Sequence, residues 1–214
     1  MEWKRGALCA LALCTAVEAQ AAWIGPFISE LHYDNQGADV GEFVAVTAPS
    51  GTSLDGWSLV FYNGSKGTAY ETLKLDGAID VGPTGLGERY WHIARLQNGP
   101  DGVALVDPDE GLMDLVAYGG LFDLVEGPAK DAVASLLPLV EGARTPVGWS
   151  LQRVGSAREW SWIAGPESPG LLNPGLTVAP AGRVPAVGIV ALLCGGGLGW
   201  ALARRRPGVY IASR

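Results

Sequence analysis

Between residues 26 and 163 apolar side chains recur at alternate positions in short runs, and most runs end at Gly, Pro, Asn or Asp. A period of two puts one set of side chains on one face of an extended chain, so the pattern predicts strands. The runs cover 26–33, 42–47, 58–62, 72–75, 89–94, 103–106, 112–118, 150–154 and 159–163. Asp55-Gly56, Asn63-Gly64 and Asn98-Gly99-Pro100-Asp101-Gly102 mark tight turns, where Gly and Asn accept positive φ at little cost. One stretch, 130–139, reads as a short helix limited by Pro138. Many short strands with frequent turns predict an all-β fold, an antiparallel β-sandwich of Greek-key type.

The two ends break this pattern. Residues 1–21 carry Lys4 and Arg5, an apolar run 7–17, and Ala19-Gln20-Ala21 with small residues at the two positions a signal peptidase reads. That three-part layout predicts a secretory signal cut after Ala21. At the other end, 187–203 is a run of 17 uncharged positions followed by Arg204, Arg205 and Arg206. The run is at the short limit for a transmembrane helix, and the arginines place the 204–214 tail in the cytoplasm and the middle of the chain outside. A buried core helix is the competing reading at each end. The expected organisation is a signal peptide (1–21), a sandwich (22–175), a spacer with a Pro motif (176–186), a membrane helix and a basic tail.

Charge sharpens this division. Across 22–183 there are nine Lys and Arg against twenty Asp and Glu, a net charge of −11, whereas the whole chain carries −7. A field of that sign repels phosphate backbones, so no direct nucleic-acid partner is expected, and divalent cations or cationic partners fit better. Cys9, Cys14 and Cys194 all fall in the terminal segments. The middle therefore has neither a disulfide frame nor a Cys-based zinc site.

Candidate chemistry is sparse. Asp34, Asn35, Asp39 and Glu42 gather three carboxylates and an amide around one loop, a donor set that suits calcium, although the spacing is not that of an EF-hand. The competing reading is a turn in which Asp34 and Asn35 bond nearby amides while Asp39 and Glu42 face water. No other cofactor is expected. His32 and His92 are the only histidines; alternation puts His32 on the side of Glu30, opposite Leu31 and Tyr33, and a structural or solvent-facing role is favoured over a metal site. No Gly-x-Ser-x-Gly, His-Glu-x-x-His or Walker signature is present, 82–87 reads as a surface loop, and the chain is expected not to be an enzyme. Trp160 and Trp162 share a strand face and are candidates for stacking on a glycan, against the reading that they fill a core; Trp57 and Trp149 are expected in the core.

Ile28-Ser29-Glu30-Leu31-His32-Tyr33-Asp34-Asn35, Asp39-Val40-Gly41-Glu42-Phe43-Val44-Ala45-Val46 and Leu54-Asp55-Gly56-Trp57-Ser58-Leu59-Val60-Phe61-Tyr62-Asn63-Gly64 stand in an order and spacing that resemble the bacterial lamin tail domain family. Asn98-Gly99-Pro100-Asp101-Gly102-Val103-Ala104-Leu105-Val106-Asp107 and Glu167-Ser168-Pro169-Gly170-Leu171-Leu172-Asn173 extend the resemblance to about Asn173. It implies an immunoglobulin-like sandwich found at bacterial surfaces, often beside secreted nucleases or phosphatases. Ala45 departs from the Glu-Phe-Val-Glu-like run of that family. The tail, with Val184-Pro185, the Gly-rich run and Arg204 to Arg206, resembles the PEP-CTERM sorting signals cleaved by exosortase-type enzymes, with Val184-Pro185-Ala186 where the main class has Val-Pro-Glu-Pro. The expected function is an exported, membrane-tethered, non-enzymatic binding or adhesion module that meets a glycan or matrix protein at the cell surface. The alternative is an accessory domain working with a separate secreted nuclease or phosphatase. A metal-dependent hydrolase built on Asp34 and Glu42 is the third reading.

Overall fold

The structure is a computed structural model and describes residues 25–82, 84–156 and 159–177. The predicted signal peptide, membrane helix and basic tail, with Val184, Pro185 and Arg204 to Arg206, lie outside the described residues. The chain divides into two units, Met1–Arg183 and Val184–Arg214, and every described residue belongs to the first.

Ten strands follow in order: β1 (Phe27–His32), β2 (Phe43–Pro49), β3 (Ser58–Asn63), β4 (Thr68–Lys74), β5 (Leu86–His92), β6 (Asp101–Val106), β7 (Leu112–Tyr118), β8 (Ser135–Leu136), β9 (Trp149–Ser156) and β10 (Glu159–Pro166). They form two sheets, ordered β10-β9-β1-β2-β5 and β4-β3-β6-β7-β8, in which β7 and β8 alone run parallel. The result is a β-sandwich, and no helix occurs among the described residues. Alternation sends Ile28, Leu31, Val44, Val46 and Leu151 from the first sheet against Leu59, Phe61, Val103, Leu105 and Val116 from the second, all fully buried or nearly so. At about 1.5–3 kcal/mol for each such side chain, their burial is what holds the sheets face to face. Tyr33 stacks on Tyr118 across this core with ring centroids 4.3 Å apart.

Each sheet also carries cover on its outer face. On the second sheet Val60, Tyr62, Ala104, Val106 and Leu115 meet Leu124 and Ala129 from the loop after β7. Gly127 makes that approach possible: its φ is +73°, and a Cβ there would lie 2.7 Å from the Tyr62 hydroxyl. The first sheet is covered by residues 167–177, a strap that returns from β10 across β1 to β5 and ends on β9.

Two expectations are corrected here. Residues 130–139 form no helix, because tertiary pairing overrides the local preference: Ser135 and Leu136 align with Val116 and Ala117, and the Leu137 amide donates to the Ala117 carbonyl at 2.8 Å. Asp131 sits at φ +61°, which a helix cannot contain. The 82–87 stretch is not wholly loop, since β5 begins at Leu86; Gly87 lies so close to the Asp80 carbonyl that a Cβ would come within 2.2 Å of it.

Candidate functional site

The acidic loop joins β1 to β2. Asn35 commits three side-chain bonds within it: Nδ2 donates to the carbonyls of Gln36 (3.1 Å) and Ala38 (2.9 Å), while Oδ1 accepts from the Val40 amide (3.0 Å). This is an Asx-type arrangement that shapes the turn. Burial lifts the Asp34 carboxyl above its usual range, and the Asp39 carboxyl beside it adds to the lift. Glu42 is raised for the same two reasons. Asp39 is exposed and accepts from Asn98 Nδ2 at 3.1 Å. Among the described residues no three His, Cys, Asp or Glu side chains are grouped to hold an ion.

His32 is structural. Its Nδ1 meets Glu141 Oε1 at 3.0 Å, and its Nε2 faces the Val40 carbonyl at 3.1 Å and Asn35 Oδ1 at 3.3 Å. Both ring nitrogens face acceptors, which suits the imidazolium. Burial alone would lower its pKa, yet the Glu141 hydrogen bond and charge more than offset this and lift it to about 8. Glu141 Oε2 accepts the Tyr33 and Asp34 amides at 2.6 and 3.1 Å, so the pair pins the end of β1 to the loop before β9. His92 is exposed on β5, its Nδ1 3.4 Å from the Glu42 carbonyl.

Trp160 and Trp162 do share one face of β10, and both are half-buried. The Arg153 guanidinium lies over each ring, 5.7 and 5.1 Å from the centroids, and over Phe27 at 5.4 Å. Asp114 holds Arg153 in place at 3.0 Å. Trp162 also packs on the core, and Trp160 lies 4.9 Å from Phe27, so these rings brace the β9–β10 edge. Trp57 packs against the core as expected. Trp149 does not: it opens β9 with 36% of its surface exposed, at the mouth of a cleft beside the loop before that strand.

The most constrained polar site was not singled out from the sequence. Glu30, fully buried, accepts from Ser150 Oγ (2.5 Å), the Ser168 amide (2.8 Å), Gln152 Nε2 (3.2 Å) and Ser168 Oγ (3.2 Å). Glu88 accepts from Ser29 Oγ (2.7 Å), Thr47 Oγ1 (3.1 Å) and the Gly170 amide (3.3 Å). Burial raises both carboxyls. For Glu88 the charge of Glu30 adds to burial, the hydroxyl and amide bonds pull back, and the outcome is about 8. Asn173 Nδ2 donates to the Ser29 carbonyl at 2.8 Å and the Arg153 carbonyl at 3.1 Å, which closes the strap over β1 and β9. A register shift between Ile28 and Glu30 opens the geometry, letting the adjacent Ser29 and Glu30 both serve the outer face. The available signal was a Glu in the middle of a strand-forming run, at Glu30 within Phe27–His32.

Compared with protein-family models, with curated proteins and with solved structures, the chain gives no match.

Proposed function

We propose that this chain is an exported binding module with a lamin-tail-like, immunoglobulin-like sandwich, held at the cytoplasmic membrane by its C-terminal segment with the sandwich outside. It acts non-enzymatically in adhesion at the bacterial cell surface or matrix. The observation that carries this reading is the strap. Thr177, the last described residue, donates its amide to the Gly155 carbonyl at 2.8 Å, and Leu176 bridges Gly155 in parallel. Behind it Asn173, Gly170 and Ser168 are bonded to β9, β1 and the two buried carboxyls. A pull on the chain beyond 177 is therefore shared by several bonds before it reaches the sheet. A domain loaded between a tether and a ligand needs such a seat. The signal-like start and the basic cluster at Arg204 to Arg206 supply the address.

The test is topology in cells. A tag inserted between residues 24 and 25 is digested when protease is added to intact spheroplasts, while a tag after Arg214 is protected. Protection of both tags overturns the reading. Cleavage near Val184-Pro185 by an exosortase-type enzyme, followed by release to the matrix, appears as loss of the C-terminal tag from the mature protein.

A further inference from the structure

The cleft at Trp149 has a volume of about 530 Å³, within the range of small-ligand sites. Arg144 is the only cation lining it and makes no ion pair among the described residues. The acid beside it, Glu141, is already spent on His32 and on two backbone amides. The Asp34 carboxylate lies near Gly142 in the lining, and Arg144 forms an ion pair with neither acid.

The loop that presents Arg144 is braced at several points. Thr145 and Gly142 exchange two bonds of 2.8 and 2.9 Å, the Gln36 amide reaches the Thr145 carbonyl at 2.8 Å, and the Glu167 amide reaches the Gly148 carbonyl at 2.9 Å. Trp149 is fixed by its pairing with Pro166. Gly142, Ala143 and Ala164 are the small residues of the lining. A part-exposed indole, a cation without an ion pair among the described residues and small neighbours thus line one cleft on a hydrogen-bonded backbone frame.

We infer that this cleft binds the carboxylate-bearing sugar of an acidic polysaccharide, with the ring face on Trp149 and the carboxylate on Arg144. An indole offers a flat apolar face to a pyranose, and a guanidinium offers paired donors to a carboxylate. The assignment rests on the surface-binding reading and names the ligand class for it.

The probe is tetragalacturonate, titrated calorimetrically into the full chain in a zwitterionic detergent, with cellotetraose as the neutral control and tetraglutamate as the acidic peptide control. Wild type is expected to bind the acidic tetramer at least about tenfold more tightly than either control, with affinity falling as salt rises. Arg144→Gln is expected to lose about tenfold for tetragalacturonate and to bring it level with cellotetraose. Trp149→Ala is expected to lose about tenfold for both sugars, and Trp149→Phe to recover most of that. Equal binding by Arg144→Gln and wild type, cellotetraose binding as tightly as the acidic sugar, tetraglutamate binding more tightly, or no binding by wild type each overturns the assignment. If the sugar fails while the spheroplast tags behave as described, the ligand class alone falls. If both tags are protected, the surface reading itself falls.

Discussion

The two outer faces of the sandwich are sealed by opposite chemistry. Over the second sheet Leu124 and Ala129 lie on an apolar patch, and the loop that carries them is tied down by the Ala129 amide on the Tyr62 hydroxyl at 3.1 Å and the Val125 amide on the Gly67 carbonyl at 3.0 Å, with no buried carboxyl involved. Over the first sheet, Ser168, Gly170 and Asn173 are held through buried carboxyls and backbone carbonyls. An apolar seal tolerates repacking and is indifferent to pH, while a buried polar seal demands that every donor and acceptor be met. The face covered by residues 167–177 is the one with the exacting seal.

The largest expected difference between the faces is their response to pH. Glu88 has a folded-state pKa raised from 4.5 to about 8, so the folded chain holds a proton that the unfolded chain has released between those values. Its contribution is complete below pH 4.5 and is lost as pH rises through 8, for a fall of about 4–5 kcal/mol by pH 9. His32, raised from 6.5 to about 8, acts in the same direction: its contribution is present below 6.5 and lost as pH passes 8. Denaturant melts from pH 5 to 9 should show the decline, and Glu88→Gln should flatten most of it. An undiminished slope in that variant removes Glu88 as the cause.

Next in size is Glu30→Leu, which keeps much of the volume and strands the donors on Ser150, Gln152 and Ser168, at a cost of roughly 3 kcal/mol. The counterpart on the other sheet, Leu124→Ala, should cost roughly 2–3 kcal/mol through lost burial and a residual cavity. Its pH slope should match wild type. Midpoints in urea at pH 6 and 8 separate these two variants. Asn173→Ala should cost about 1–2 kcal/mol and expose the 167–177 strap to proteolysis before the rest of the domain.

The smallest effect belongs to the acidic loop. Asp39→Asn should lower the Asp34 and Glu42 titration midpoints toward ordinary values in carboxyl NMR spectra. Millimolar calcium should leave the melting temperature unchanged, because Asn35 is committed to its turn. A clear rise with calcium would show that the three carboxylates converge on an ion.

Most of the strand framework was legible because a two-residue period survives wherever one face meets a core, and β7 matches its expected span of 112–118. The strand at Ser135–Leu136 was not, since two residues carry no period and their pairing with β7 is decided by tertiary contact. Glu30 and Glu88 were hidden for a related reason. In an alternating strand a Glu on the face opposite the core normally meets water, and here the cover comes from a segment 138 positions away from Glu30. Trp149 was misplaced because local sequence does not say that its strand begins beside an open cleft. His32 was placed on the correct side by alternation, but its partner Glu141 lies 109 positions away and carried no local mark.

The strap occupies the last described residues of the chain, so the ribosome makes it after all ten strands. Until positions 168–173 emerge, β1 has its neighbours but no lid, and Glu30 and Glu88 stay wet and free to ionise. Completion of the domain is thereby timed by residues 168–177, which must emerge before the seal over β1 and the two carboxyls can form.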